Sequence, residues 1–302
     1  MLDLWIPLTI AGAFFQNLRS ALQKHLKLRL SDAGATYVRF FYAWPLALIY
    51  CWSLSEFGGL AVPAANTQFL LYCLLGGISQ IVFTFLLVWM FSFRNFAVGT
   101  TYSKTEVLQV AIFGFVLLGD TVTTLAAMAI SLSLIGVMAL SVAQTKMSVT
   151  NLFTSLTEKA TLIGLASGVF MGASVVFYRG AALSLEAGSA TMRAAFALAV
   201  SVVMQTVIMG IYLRVRDPGQ LTAVVREWRW SSLVGIAGML ASICWFTALT
   251  LQNAAYVRAL GQIELVFTFV ASILFFKEKT KALEYAGIAL IIAAILILVL
   301  WG

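Results

Sequence analysis

An internal duplication is the feature that most constrains the fold of this chain. The segment at 95–126, NFAVGTTYSKTEVLQVAIFGFVLLGDTVTTLA, recurs 158 positions later as NAAYVRALGQIELVFTFVASILFFKEKTKALE. In this register Glu106 falls on Glu264, and Asn95 meets Asn253. Two copies of one apolar segment, each with a carboxylate near its middle, predict a protein built from two related halves.

The composition identifies an integral membrane protein. Hydrophobic residues fill 62% of 302 positions, charged residues only 10%, and the mean hydropathy is +0.98. Soluble domains are roughly half apolar and a quarter charged. We predict an all-α polytopic fold, because a helix satisfies its own backbone in lipid and the runs lack the alternation of barrel strands. The net charge of +7 is explained by loop Lys and Arg, so we expect no nucleic-acid partner.

Ten segments reach the roughly 20 apolar residues that a membrane-spanning helix needs. They cover 4–23, 34–54, 67–91, 97–118, 122–143, 161–183, 190–213, 230–251, 255–276 and 283–301. A polar linker at 144–160 divides them into two five-helix repeats, 1–143 and 161–302. Because each repeat holds an odd number of spans, the second copy is predicted to insert upside down, as in many secondary transporters.

A second match supports the duplication. The sequence DAGATYVRFFYA from Asp32 resembles EAGSATMRAAFA from Glu186, which sets Arg39 against Arg193. An inverted repeat would send these two arginines to opposite membrane faces. They could serve as paired gate residues, or each could cap the carbonyls of a neighbouring helix end.

Loop charges predict the orientation. The N-terminus, MLDLWIP, has no basic region before its apolar run, so we expect an uncleaved first span. Loop Lys and Arg concentrate in the odd-numbered connections, and the positive-inside rule then places both termini outside. The connection at 214–230 mixes Arg with Trp228 and Trp230, which is typical of an interfacial segment.

Glu106 and Glu264 are the leading candidates for chemistry. A charge at mid-span costs about 2.5 to 3.5 kcal/mol on insertion scales, so it usually faces a cavity or a partner. Each carboxylate could coordinate substrate or carry a coupling proton at the midplane, or an ion pair could lock helices together. Lys104 lies roughly 200° around a helix from Glu106 and cannot share its row, so it could pair with a different helix or line another part of the cavity.

Other polar side chains within the spans could line a central cavity or join helices by hydrogen bonds. Helix spacing places Tyr102 beside Glu106 and Gln109 on the neighbouring polar row, and it places Arg258 with Gln262 in the second copy. The full set of predicted substrate-binding residues is Asn17, Arg39, Gln80, Tyr102, Lys104, Glu106, Gln109, Tyr178, Arg193, Trp245, Arg258, Gln262 and Glu264. The glycines at 164, 168 and 172 instead predict close helix packing.

The sequence contains no pattern of an enzyme or of a cofactor site. Cys51, Cys73 and Cys244 are isolated in apolar segments, without disulfide or zinc spacing. The phosphate-binding pattern G-x-x-x-x-G-K-[ST] does not occur, and the one histidine, His25, has no catalytic companions. We therefore expect no metal, no cofactor and no enzymatic activity; a membrane enzyme or a structural membrane subunit remains the alternative from a different class.

The whole chain resembles the EamA-like group of the drug/metabolite transporter superfamily. The resemblance rests on Arg39 with Arg193, on Glu106 with Glu264, on the acidic residues Asp120 and Glu278, and on the run LFFKEKTKALEYAGIALIIAAILIL from Leu274. It implies a multi-pass transporter of a bacterial inner membrane, and it favours cytoplasmic termini, whereas the loop charges favour termini outside. The family often has Pro after the glutamate where this chain has Val107 and Leu265, so the sequence does not support a helix break there.

The leading hypothesis is a secondary transporter that exports a small polar or amphipathic metabolite by alternating access. Basic residues outnumber acidic ones among the candidate cavity charges, which favours an amino acid or organic anion. The alternative is proton-coupled efflux of a cationic or drug-like compound bound at Glu106 or Glu264. The expected partners are the substrate and the lipid bilayer, with a coupling proton in the proton-coupled alternative, and the chain would act as a monomer or homodimer.

Overall fold

The computed structural model describes residues 3–26, 29–90, 96–145, 158–274 and 280–301. The described residues are 85% helical and contain no strand, which confirms the all-α expectation. Within these ranges, six helices are long and apolar enough to cross a membrane: Thr67–Leu87, Thr124–Ala143, Lys159–Leu183, Ala190–Arg216, Trp228–Leu251 and Ala282–Trp301. The count of ten spans in two inverted repeats stays a prediction.

The described helices follow the predicted segments closely. The first half contains α1 Trp5–Leu26, α2 Asp32–Phe41, α3 Trp44–Glu56, α4 Thr67–Met90, α5 Phe96–Ser103, α6 Glu106–Leu118 and α7 Thr124–Thr145. The second half contains α8 Lys159–Leu183, α9 Ala190–Arg216, α10 Gly219–Arg226, α11 Trp228–Leu251, α12 Ala254–Gly261, α13 Ile263–Leu274 and α14 Ala282–Trp301. Most of the predicted linker, together with Asn95 and Glu278, lies outside the described residues.

Three predicted spans are interrupted instead of continuous. The span at 34–54 divides between α2 and α3, where Pro45 stands in the first turn of α3. Proline has no backbone N–H and its ring clashes with the carbonyl four residues earlier, so it ends the preceding helix. The equivalent segment of the second half, α9, has no proline and is unbroken.

The other two interruptions lie in the duplicated segment, immediately before each glutamate. Lys104 N donates to Thr101 O at 3.2 Å and Thr105 N to Tyr102 O at 3.1 Å. In the second copy, Gln262 N donates to Ala259 O at 3.2 Å. These three-residue spacings tighten the turn as in a 3₁₀ helix, which often marks a functional point within a helix. Helix α5, Phe96–Ser103, shifted by 158 positions falls on α12, Ala254–Gly261.

The chain forms two compact units. The first unit is Met1–Phe85 with Ser174–Gln252, and the second unit is Leu86–Ala173 with Asn253–Gly302. Each unit therefore takes sequence from both predicted repeats. The repeat boundaries at 143 and 161 rest on the similarity between the two halves of the sequence, and they stay a prediction.

Glycines set the helix spacing within the second unit. A Cβ on Gly164 would lie 2.1 Å from Gly99 O, and one on Gly136 would lie 2.8 Å from Gly287 O. The stripe that begins at Gly164 packs closely, as expected, and α7 packs along α14 in the same way. The opposite side of α14 is exposed, with Leu300 at 60%, and its almost purely apolar side chains suit contact with lipid.

In the first unit, α1 packs along α11, and the short helix α10 covers the start of α2. Ser31 N donates to Gln220 Oε1 at 2.9 Å, and Tyr42 OH donates to Val224 O at 3.1 Å. An exposed ion pair joins Arg29 Nη1 to Glu227 Oε2 at 2.8 Å. These contacts hold the polar connection between α9 and α11 against the body of the unit.

Candidate functional site

A small polar cavity lies inside the first unit, among α2, α4, α9 and α11. Its polar lining consists of Arg39, Gln80, Gln205 and Ser242. Its apolar lining consists of Phe40, Ala43, Leu198, Val202, Met239 and Phe246. The free volume is about 10 Å³, which is room for about one water molecule.

A hydrogen-bond network fixes the amide of Gln80. Its Oε1 accepts from Gln205 Nε2 at 2.9 Å and from Tyr178 OH at 3.3 Å. Gln205 also donates to Gly77 O at 3.3 Å, and the Tyr178 ring lies 4.6 Å from that of Phe246. Both acceptor positions of the Gln80 carbonyl are thereby used, so its amide hydrogens are the groups left to bind a ligand.

Arg39 supplies the positive charge of the cavity. It lies in the last turn of α2, directly before the break at Pro45, and its guanidinium lies 5.5 Å from the centroid of the Phe40 ring. Among the described residues no carboxylate forms an ion pair with it. The acidic residues of the first unit all stand at helix ends or in connections, and none is buried: Asp3, Asp32, Glu56, Glu186, Asp217 and Glu227.

Two further arginines of the first unit cap helix ends. Arg193 Nη1 donates to Leu185 O at 3.4 Å, just beyond the end of α8. Arg179 Nη1 donates to Leu249 O at 2.7 Å and to Gln252 O at 2.6 Å, at the end of α11. Arg193 therefore caps a helix end, which is one of the two roles expected for it, whereas its sequence counterpart Arg39 lines the cavity.

Among the described residues of the second unit, two ion pairs cross between the duplicated segments, one of them buried and the other partly exposed at Lys104. Lys104 Nζ pairs with Glu264 Oε1, and Arg258 Nη2 pairs with Glu106 Oε1. Glu106 and Arg258 also act electrostatically on Lys104, so the four charges form one cluster. Lys104 thus pairs with a residue of a different helix, which is one of its two expected placements, and it also interacts electrostatically with Glu106 within the cluster.

The helix breaks explain how these four charges meet. Glu106 is the first residue of α6, and Glu264 lies in the first turn of α13. The partial positive charge at a helix N-terminus stabilises a carboxylate at either place. Beside them Gln262, only 1% exposed, has no hydrogen-bond partner for either side-chain atom within the described part of the chain. The cluster has two positive and two negative charges and is therefore neutral.

The remaining predicted residues lie in packed surroundings. Tyr102 is buried against Met138, Val142 and Leu165. Gln109 Nε2 donates to Thr105 Oγ1 at 3.2 Å, one helical turn earlier. Asn17 is half-buried on α1, and Trp245 is buried with its ring 3.3 Å from the position of a Cβ on Gly12. Their role in substrate binding stays a prediction.

Three residues of interest were not predicted from the sequence. Gln205 lines the cavity, Arg179 caps α11, and Arg19 is a buried cation within α1. A usable signal existed for both arginines, because a charged residue within an apolar span is by default a functional candidate. Gln205 had no signal beyond its polarity.

Comparison with known proteins agrees with this architecture. Residues 158–300 match the sequence model of the EamA-like transporter family. A crystal structure of another protein superposes with a TM-score of 0.70 over 98% of this chain and 96% of its own length, at 13% identity. That similarity concerns the fold alone. No curated protein matches the chain significantly in sequence.

Proposed function

We propose that the protein is a secondary transporter that exports a small anionic or zwitterionic metabolite, in keeping with the match of residues 158–300 to the EamA-like transporter family of the drug/metabolite transporter superfamily. The family and the apolar helices together indicate an integral membrane protein. The proposed location is a bacterial inner membrane. No enzymatic step is part of this function.

The observation that carries the proposal is the chemistry of the cavity in the first unit. Arg39 contributes a cation, Gln80 contributes amide hydrogens because its carbonyl is occupied by Gln205 and Tyr178, and Ser242 contributes a hydroxyl. A carboxylate or similar anion only accepts hydrogen bonds, and charge-assisted bonds from arginine are strong and directional. An organic cation would find no buried carboxylate among the described residues of this unit.

The cavity holds about one water in this structure, so binding of a metabolite requires the helices around it to separate. The break between α2 and α3 lies beside Arg39 and offers a place for such movement. Discontinuous helices surround the substrate site in many secondary transporters. Alternating access between two inverted repeats, driven by a substrate gradient or by a coupling proton, is the mechanism we propose.

The crossed ion pairs of the second unit are better assigned to structure than to substrate. Each glutamate already has a cationic partner, Arg258 for Glu106 and Lys104 for Glu264. A cationic drug would have to displace that partner within the helix packing. Proton-coupled efflux of cations is therefore the less favoured function, although a proton could still enter this cluster.

Ligand-induced thermal stabilisation of the purified protein tests the proposal. We expect stabilisation by members of a panel of amino acids and organic carboxylates, but not by organic cations. Arg39→Gln should remove the stabilisation, whereas Arg29→Gln is the matched control, because Arg29 is an exposed cation of the same unit that pairs with Glu227. Stabilisation by cations alone, or an unchanged response of Arg39→Gln to the carboxylates, would overturn the proposal.

A further inference from the structure

The orientation of the Gln205 amide is fixed by its contacts with α4. Its Nε2 lies 3.3 Å from Gly77 O and 2.9 Å from Gln80 Oε1. A backbone carbonyl only accepts hydrogen bonds, so the atom of Gln205 that faces Gly77 must be the nitrogen. Both hydrogens of that nitrogen are then used, one for each acceptor. The Oε1 of Gln205 is therefore the group that this side chain offers to a ligand.

Close packing between α9 and α4 holds this arrangement in place. Gln205 is only 2% exposed, and a Cβ placed on Gly77 would lie 3.2 Å from Gln205 Cγ. Glycine at that position lets the Gln205 side chain lie against the backbone of α4, where it reaches the carbonyl. Tyr178 OH donates to the same Gln80 carbonyl at 3.3 Å. The two ordered amides thus present hydrogens from Gln80 and an oxygen from Gln205.

The lining of the cavity therefore combines donors with a fixed acceptor. Arg39 and the amide hydrogens of Gln80 can only donate, whereas Gln205 Oε1 can only accept. The Ser242 hydroxyl rotates and can do either, so it does not discriminate between ligands. A plain carboxylate would satisfy the donors but leave the Gln205 oxygen desolvated and without a partner, and such an unpaired group weakens binding.

We propose that Gln205 selects a hydroxy acid, a carboxylate whose neighbouring hydroxyl donates to Gln205 Oε1 while its negative charge binds Arg39. An ammonium group could also donate to this oxygen, but the oxygen is neutral, and among the described residues no carboxylate forms an ion pair with Arg39. A zwitterion carries no net charge and would leave the charge of Arg39 uncompensated in a cavity shielded from water. A hydroxy acid neutralises Arg39 and gives Gln205 its donor at the same time.

This inference rests on the proposed transport of an anion through the same cavity, so the test must separate the two. Lactate, propionate and alanine differ only in the group on the carbon beside the carboxylate, which is a hydroxyl, a hydrogen or an ammonium. Their affinities are measured by thermal stabilisation of the purified protein at equal ionic strength. We expect lactate to bind about tenfold more tightly than propionate, because a buried acceptor gains a partner. Alanine should bind no more tightly than propionate.

Two variants of Gln205 assign the preference to this side chain. Gln205→Met keeps the side-chain length but removes the acceptor, so lactate and propionate should bind equally, with propionate within about threefold of its affinity for the unchanged protein. Gln205→Glu adds a negative charge to the cavity that Arg39 lines, and it should reverse the order so that alanine binds more tightly than lactate. Thr206→Val is the matched control and should keep the preference for lactate, because Thr206 follows Gln205 on α9 and its Oγ1 donates to Val202 O at 2.7 Å.

The outcomes are distinct. Equal binding of lactate and propionate by the unchanged protein, or tighter binding of alanine, overturns the choice of a hydroxy acid but leaves the proposed transporter standing. A preference for lactate that survives Gln205→Met assigns the hydroxyl to another residue and also overturns this inference. Loss of all three ligands in both Gln205 variants makes Gln205 a structural residue and overturns its role in selection. Absence of stabilisation by every carboxylate overturns both the inference and the proposed function.

Discussion

Breaking one of the crossed ion pairs in the second unit should destabilise the protein severely. The informative change is Arg258→Met, which removes the cation and keeps an apolar side chain of similar length. Arg258 and Glu106 have only 4% and 6% of their side chains exposed. The variant therefore leaves Glu106 buried without its cationic partner.

The burial of this pair sets the expected size of the effect. Removing one member of a buried ion pair costs about 3 to 5 kcal/mol, because the remaining charge stays desolvated. Replacing both members by apolar residues is often close to neutral. Arg258→Met should thus lower the free energy of unfolding by about 3 to 5 kcal/mol, and Arg258→Met combined with Glu106→Leu should recover most of that loss.

Unfolding in mixed detergent micelles, followed by circular dichroism, measures these free energies. The four proteins of the double-mutant cycle are compared with a matched control, Glu227→Gln. That variant breaks the pair with Arg29, whose side chain is 48% exposed, so its cost should be within about 1 kcal/mol. The cycle isolates the interaction between Arg258 and Glu106 from their other contacts.

Two results would refute this reasoning. If Arg258→Met unfolded within about 1 kcal/mol of the unchanged protein, the pair would be no more important than an exposed one. If the losses of the two single variants simply added in the double variant, the residues would not interact, and Glu106 would return to the set of free carboxylates.

Three further predictions test other parts of the fold. Gly164→Val should prevent stable folding, seen as loss of a monodisperse peak in size-exclusion chromatography, because its Cβ would lie 2.1 Å from Gly99 O; recovery of a normal peak would contradict this packing. Arg179→Met should lower the free energy of unfolding by about 1.5 to 3 kcal/mol through the lost bonds to Leu249 O and Gln252 O. It should leave anion binding unchanged, and a selective loss of binding would instead make Arg179 part of the site. For orientation, a cysteine at Gly302 in a variant without the buried Cys51, Cys73 and Cys244 should react with an impermeant thiol reagent added outside; protection there together with labelling at the 144–160 linker would reverse the predicted topology.

The sequence predicted the helices well because their signal is local. Apolar runs of about 20 residues locate spans regardless of how they pack. The interruptions were harder, for two different reasons. Pro45 causes the break after α2 because its ring clashes with the carbonyl four residues earlier, and this signal was available in the sequence. The breaks before Glu106 and Glu264 contain no proline, and they become visible only as three-residue hydrogen-bond spacings.

The sequence identified which residues are candidates for the site, but it did not show which of them contact one another. Charged residues in apolar segments identified Arg39, Glu106 and Glu264, because their cost in lipid makes each one a candidate. Which charges neutralise one another depends on contacts between segments more than 150 residues apart, such as Arg258 with Glu106. Helical spacing placed Lys104 on a different face from Glu106, and its partner is Glu264 of the other copy, which the spacing within one helix could not identify.

The two units differ in whether their buried cations are paired with carboxylates. In the second unit, Lys104 and Arg258 are matched one to one by Glu264 and Glu106, so ligand binding there would have to break an existing pair. In the first unit Arg39 forms no ion pair with a carboxylate among the described residues, and the cavity that it lines offers hydrogen-bond donors. A negatively charged substrate therefore gains the most binding free energy beside a cation that no carboxylate of the protein neutralises. The first unit is therefore the place to seek the ligand, and the second unit is the place to seek stability.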